Sequence, residues 1–314
     1  MRLPVVLDCD TGTDDAVAIL LAALHPDLDL LGVSAVWGNH DVRHTTDNTL
    51  RVLDLVGRGA ADGGAGVHPG HNGPVRPRIS PLPSGREDLE PTLGLPAPVS
   101  VAGGDAIEWL VETLRAVTEP VALVATGPLT NVAAALAADR RLVGSVGRLV
   151  VLGGSHREAG VTPYAERNVW CDPEAAHDVL TARWREVLLV TMDATFSAPL
   201  TRADARRLRA LATPAGEAAA SFVEARIAWY ERDPVMAALG AAPLHDPLAV
   251  AALVAPDLLT VLRAGVAVER ADPATYGATR FTAELDEGQG RVRVAVAADR
   301  DRYVDLLCRT LGKD

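Results

Sequence analysis

The chain of 314 residues is 48% hydrophobic and 23% charged, an ordinary globular composition with ample material for a large core. A net charge of −11 with no basic stripe excludes a nucleic-acid partner and leaves a small neutral or metal-bridged substrate. Scattered Cys9, Cys171 and Cys308 argue against a disulfide framework or zinc site, and the longest apolar run, Ala16 to Leu24, is too short to span a membrane.

The first ten residues turn acidic too soon for a signal peptide, so a soluble cytoplasmic protein is expected. "VVLD" (5–8) reads as a strand leading to a helix over Asp14–Leu24. "LDLLGVSAVW" (28–37) is a second strand, followed by a helix around Thr45–Val56. The Gly/Pro-rich stretch from Gly63 to Pro98 reads as a long loop. Then come an amphipathic helix over 105–117, a strand at "PVALVAT" (120–126) with the helix "LTNVAAALAA", and a strand at "RLVVLGG" (148–154). The helix "DPEAAHDVL" (172–180) leads to the strand "EVLLVTMD" (186–193). The last third holds Ala-rich helices over about 203–212 and 215–231, another over 246–254, and strands near 260–269 and 291–297. Strands alternating with helices predict an α/β fold: an open, mostly parallel, doubly wound sheet flanked by helices, with a helical embellishment in the C-terminal third. One domain over 1–314 is expected.

Polar residues gather at the predicted strand ends: Asp8 and Asp10, Asn39, Thr126, Gly153-Gly154 and Asp193. Open parallel sheets bind ligands there. The densest cluster is "DCDTGTDD", with four aspartates in eight positions. A helix start favours one or two of them, Asp14 and Asp15, as caps. It does not account for Asp10 on the strand end facing them. A hard divalent cation, which takes several carboxylate oxygens, accounts for all three. The loop is no EF-hand, because Leu21 occupies the twelfth position where a glutamate is required. An Asp-x-Asp phosphatase is disfavoured by Gly12 and by the lack of a lysine other than the near-terminal Lys313.

The segment "DCDTGTDDAVAIL" resembles the Asp-rich N-terminal signature of the inosine–uridine-preferring nucleoside hydrolases. "VSAVWGNHDVRHTTDNTLRVL", "LVATGPLTNVAAAL", "VLGGSHREAGVTPYAERNVWCDPEAA" and "LHDPLAVAAL" resemble further segments of that family, in the same order and over most of residues 5–254. The resemblance implies calcium-dependent hydrolysis of the N-glycosidic bond of ribonucleosides in nucleoside salvage, by a homo-oligomer (dimer or tetramer). It implies that Asp10, Asp15, Asp246 and the Thr126 carbonyl hold Ca²⁺, which also takes the ribose 2′- and 3′-hydroxyls. Asp10 would be the general base toward water, and His245 the acid that protonates the departing base. Asp14, Asn39 and Asn168 would grip the ribose diol, Glu166 would serve the 5′ side, and Leu152 would line the sugar pocket. Asp8 is read as structural. His71 and His156 are the other histidines placed near the mouth. Gly160 stands where relatives often carry Asn, so space and a missing amide are expected near the 5′ end. Ser84-Gly85 stand where many relatives have His-Gly, which leaves base preference open. The rival reading from another class is a catalytically silent ribose-binding protein on the same fold.

Overall fold

The computed structural model describes residues 2–80, 91–158, 160–232, 237–238, 240–282 and 292–313. Among them a nine-stranded sheet is built from β1 (Leu3–Cys9), β2 (Leu28–Ala35), β3 (Gly66–Pro69), β4 (Val121–Ala125), β5 (Val146–Leu152) and β6 (Val187–Val190), joined by β9 (Leu259–Val268), β10 (Thr279–Thr282) and β11 (Val292–Ala298). Two short strands, β7 (Leu200–Thr201) and β8 (Ala241–Ala242), pair antiparallel beside it. The sheet order is β10-β9-β11-β6-β5-β4-β1-β2-β3. From β3 across to β11 every neighbouring pair is parallel, and only β9 runs against its neighbours. The expected open, mostly parallel sheet is the observed one.

The chain winds outward from β1 to β2 and β3, then returns to place β4 on the other side of β1. That reversal opens a crevice between the carboxyl ends of β1 and β4, where a doubly wound sheet receives its ligand. The connecting helices divide between the two faces. One face carries α1 (Thr13–Leu24) and α2 (Val42–Leu55), and the other carries α3 (Ala106–Ala116) and α4 (Thr130–Ala138). Short α5 (Arg167–Cys171) precedes α6 (Pro173–Thr181), and α7 (Met192–Phe196) follows β6. The later helices are α8 (Arg202–Arg209), α9 (Pro214–Tyr230), α10 (Asp246–Val254) and α11 (Arg300–Leu311). Helix α1 packs against α2, α9, α10 and α11, so residues Ala16 to Ala22 are fully buried. A helix enclosed this way must be apolar all round, as its sequence is. Its N-terminus, with Asp14 and Asp15, is therefore delivered into the interior rather than to the surface. No helix among the described residues is long and apolar enough to cross a membrane.

Several elements depart from the sequence reading. The loop expected over 63–98 contains β3, which pairs with β2 through Gly32↔Gly66 to Ala35↔Pro69. The strand expected through Asp193 ends at Val190, and Asp193 instead opens α7. The C-terminal third supplies the two expected strands, β9 and β11, and adds β10 and α11, which the sequence reading did not place.

Asp8 ties the centre of this framework together. Its Oδ1 accepts hydrogen bonds from Ser34 Oγ (2.6 Å) on β2 and Asn131 Nδ2 (2.9 Å) on α4. Burial pushes its carboxyl up to about 6, against the lowering effect of those two donors. The unfolded chain releases this proton near pH 3.9. Between pH 4 and 6 the folded state therefore holds a proton that the unfolded state has lost, and stability falls by up to roughly 3 kcal/mol. Asp8→Asn removes this dependence. In chelator-treated protein, the stability of Asp8→Asn relative to wild type should rise from pH 4 to 6 and stay level above. A difference that ignores pH would contradict this role for Asp8.

Candidate active site

The crevice between β1 and β4 is lined by carboxylates. Asp10 is the first residue beyond β1, Asp14 and Asp15 open α1, and Asp246 opens α10. Their exposures are 2%, 6%, 0% and 3% respectively, so all four are buried. Carboxylate oxygens of Asp14, Asp15 and Asp246 lie within 4.8 Å of one another. This trio includes Asp14, assigned from the sequence to the sugar, and leaves Asp10 beside it.

Hydrogen bonds hold the group in register. Asn39 donates its backbone N–H to Asp10 Oδ2 (2.6 Å), and its Nδ2 to the Asp10 carbonyl (3.1 Å) and to Asp15 Oδ2 (3.3 Å). Gly38 permits this approach, since a Cβ there would lie 2.2 Å from Asp10 Oδ2. Thr126, just past β4, donates its hydroxyl to Asp15 Oδ1 (2.7 Å), while its carbonyl accepts Asn168 Nδ2 (2.7 Å). The Gly12 N–H reaches Asp15 Oδ2 at 3.0 Å. Burial, and then mutual repulsion, raises the proton affinity of Asp10, Asp15 and Asp246. The ion pair to the cluster among the described residues is Arg226 Nη1 to Asp14 Oδ1 at 3.1 Å, both side chains nearly buried.

The Arg226 ion pair, with the charge of Arg167 felt at Asp10, does not balance four buried carboxylates. The surplus negative charge, together with a set of hard oxygen donors, fits a divalent cation of the calcium or magnesium type. Asp246 is not the helix cap that its place before Pro247 suggests. His245 takes the cap position, and the Asp246 side chain joins the cluster.

His245 is half-buried and directly precedes Asp246. Its Nδ1 pairs with Thr195 Oγ1 at 2.7 Å and its Nε2 with Tyr230 Oη at 3.2 Å, while Phe196 packs edge-on at 5.8 Å. Thr195 already donates to the Met192 carbonyl (3.0 Å), so it accepts from Nδ1–H, and Nε2 is left to accept from Tyr230. Leu152 ends β5, and Glu166 and Asn168 stand at the start of α5. Asn168 Nδ2 also reaches the Leu152 carbonyl at 3.3 Å. The Glu166 carboxylate caps α5, accepting N–H groups from Asn168 (2.8 Å), Val169 (3.1 Å) and Gly154 (3.0 Å). The space expected at Gly160 is not there. A Cβ on it would meet the Ala165 carbonyl oxygen at 2.0 Å, because the loop doubles back on its own backbone. His156 packs edge-on against Phe281 at 5.5 Å, and the backbone of His71 is fixed by Asn131 at 2.9 Å. Ser84-Gly85 lie outside the described residues.

Sequence reasoning missed Arg226, Tyr230 and Thr195. Arg226 and Tyr230 are four residues apart on α9, one turn, so both meet the site from the same helix face. The signal was an arginine in the middle of an Ala-rich helix, which is unpromising until α9 is seen packed on α1.

The fold is a doubly wound α/β sheet with a buried carboxylate cluster at its switch point that could hold a metal ion. The chain belongs to the inosine–uridine preferring nucleoside hydrolase family, whose model matches residues 5–305. It is 34% identical over 321 residues to the pyrimidine-specific ribonucleoside hydrolase RihA of Shewanella sp. (strain ANA-3), covering 99% of this chain and 97% of that protein. It is 35% identical over 318 residues to RihA of Escherichia coli O139:H28, covering 99% of each. Among solved structures, the purine-preferring ribonucleoside hydrolase from Gardnerella vaginalis superposes with a TM-score of 0.85 at 28% identity over 98% of both chains. The chain is an enzyme, a nucleoside hydrolase.

Breaking a buried ion pair by removing one partner costs roughly 3–5 kcal/mol. Arg226→Gln should therefore destabilise chelator-treated protein by about that amount in denaturant unfolding. A loss under about 1 kcal/mol would mean that Arg226 does not offset the carboxylates.

Proposed function

We propose that this enzyme hydrolyses the N-glycosidic bond of pyrimidine ribonucleosides with calcium in the carboxylate cluster. The carrying observation is the buried group Asp10, Asp14, Asp15 and Asp246 at the switch point, in a chain of this family. Pyrimidine preference is proposed because the RihA relatives are the more similar in sequence. Asp10, Asp15, Asp246 and the Thr126 carbonyl would hold the ion, with Asp14 close by. When bound, calcium supplies Lewis acidity and a place for hydroxyl oxygens.

The chain's own groups do the rest. Asp10 takes a proton from the attacking water, and the Asn39 N–H fixes which of its oxygens is engaged. Asp14 and the Asn168 Oδ1 accept from the ribose diol, since the Asn168 Nδ2 is spent on the Thr126 and Leu152 carbonyls; Asn39 closes over it, and Leu152 keeps water from the sugar face. Glu166 acts on the 5′ side through the loop it caps, because its oxygens already accept three backbone N–H groups. His245, held by Thr195 and Tyr230, protonates the leaving base; donation through Nε2 requires its imidazolium form. Salvage of free bases in the cytoplasm, by a homo-oligomer, is the setting that fits this chemistry.

The test is ribose release from uridine, cytidine, inosine and adenosine, with calcium and after chelation. Uridine and cytidine should lead, and chelation should abolish turnover; no ribose from any of the four would overturn the reading in favour of a silent binding protein. His245→Ala should slow uridine hydrolysis by roughly 10²–10⁴-fold, the span of general acid catalysis. It should spare p-nitrophenyl riboside, whose leaving group departs without a proton. Equal losses on both substrates would show that His245 shapes the site instead.

A further inference from the structure

Arg167 opens α5, between Glu166 and Asn168, and the chemistry above leaves it without a part. Its side chain is half-buried, and no Asp or Glu among the described residues lies within 4.0 Å of its guanidinium. Nη2 donates to the Gly38 carbonyl at 2.9 Å, while Nε is buried with no hydrogen-bond partner. A cation withdrawn from water without a carboxylate in contact is unfavourable, and an unspent buried N–H adds to the cost. An apolar side chain would serve packing here at less expense to stability.

The Gly38 carbonyl belongs to the same peptide unit as the Asn39 N–H, which donates to Asp10 Oδ2 at 2.6 Å. One planar peptide therefore carries a guanidinium on its oxygen and a carboxylate on its nitrogen. Its dipole points the negative end at Arg167 and the positive end at Asp10, and hydrogen bonds in such a chain strengthen one another. The half-buried cation and the buried anion are paired through this peptide rather than by contact. The close approach needs a glycine, because a Cβ on Gly38 would lie 2.2 Å from Asp10 Oδ2 and 2.8 Å from Pro128 Cδ. Burial and the charges of Asp15 and Asp14 raise the proton affinity of Asp10, and the Arg167 charge and the Asn39 N–H oppose them. Arg226 is not available for this task, since it is spent on Asp14 and on the Pro243 carbonyl.

We propose that Arg167 is a positioning residue of the hydrolysis, which acts through the Gly38–Asn39 peptide to hold the Asp10 carboxylate in the orientation that receives the proton of the attacking water. The inference rests on the reading of Asp10 given above. Asp10 works on water, so losing Arg167 lowers kcat and leaves the grip on ribose. An arginine that merely supported α5 would behave differently. Its removal would loosen Asn168 on the same helix and raise KM.

The test is steady-state hydrolysis at saturating calcium, on whichever of the four nucleosides the wild type turns over best, with Arg167→Met, Arg167→Gln and Arg167→Lys. For Met and Gln, kcat should fall roughly ten- to a hundredfold, the span of one hydrogen bond to a charged group, with KM within about threefold of wild type. Lys, which returns a cation to the Gly38 carbonyl, should recover most of the loss. Gln keeps an N–H donor without the charge, and it carries the test should the Met variant not fold. An unchanged kcat, a rise in KM as large as the loss in kcat, or a Lys variant no better than Gln overturns the inference. Failure of the underlying reading is distinguishable: the wild type would release no ribose, or Asp10→Asn would keep the wild-type kcat.

Discussion

Like charges buried together are the constraint around which this protein is organised. Asp10, Asp14 and Asp15 in one short stretch and Asp246 far along the chain share one small, nearly dry volume. Each would rather be in water or protonated. The fold brings them together with the N-terminus of α1, the donors of Asn39 and Thr126, the guanidinium of Arg226 paired to Asp14, and the charge of Arg167 felt at Asp10. These offset part of the repulsion. The remainder is an unsatisfied demand for positive charge, and that demand gives the site its chemistry.

The architecture follows from keeping this volume closed yet reachable. Reversal of strand order at β1 and β4 opens the crevice, and the complete burial of α1 points its acidic end into it. Helix α9 then serves two purposes. Arg226 and Tyr230 reach the carboxylates and His245, while the same helix walls a neighbouring cavity. Arg226 Nε also donates to the Pro243 carbonyl at 3.0 Å, so one side chain joins α9 to the N-terminus of α1 and to the segment leading into Asp246. A change on α9 can thus be felt by both the carboxylates and His245.

Much of this was legible in the sequence because local pattern and global fold agree. Strong apolar runs with acidic strand ends marked β1 and α1, and the alternation that followed gave the sheet. β3 escaped because it is four residues long within a Gly/Pro-rich stretch. Helix α11 was overlooked although Asp299 caps it and Tyr303, Val304, Leu307 and Leu311 form a buried stripe at helical spacing. Asp10, Asp14 and Asp15 could be named because their density has no bland explanation, and Asp246 only through the family resemblance and its pairing with His245. Arg226 could not, since its meaning depends on which helix lies against α1, and no local pattern carries that. The expectation for Gly160 failed for a related reason: a missing side chain in sequence says nothing about what backbone fills the place.

The most direct measurement is calorimetric titration of calcium into metal-stripped protein, wild type beside Asp15→Asn. If the clustered carboxylates serve a cation, wild type binds one calcium per chain. The Asp15→Asn variant, still folded, binds it at least a hundredfold more weakly. Absence of calcium binding to wild type, or binding that Asp15→Asn leaves unchanged, would contradict the account.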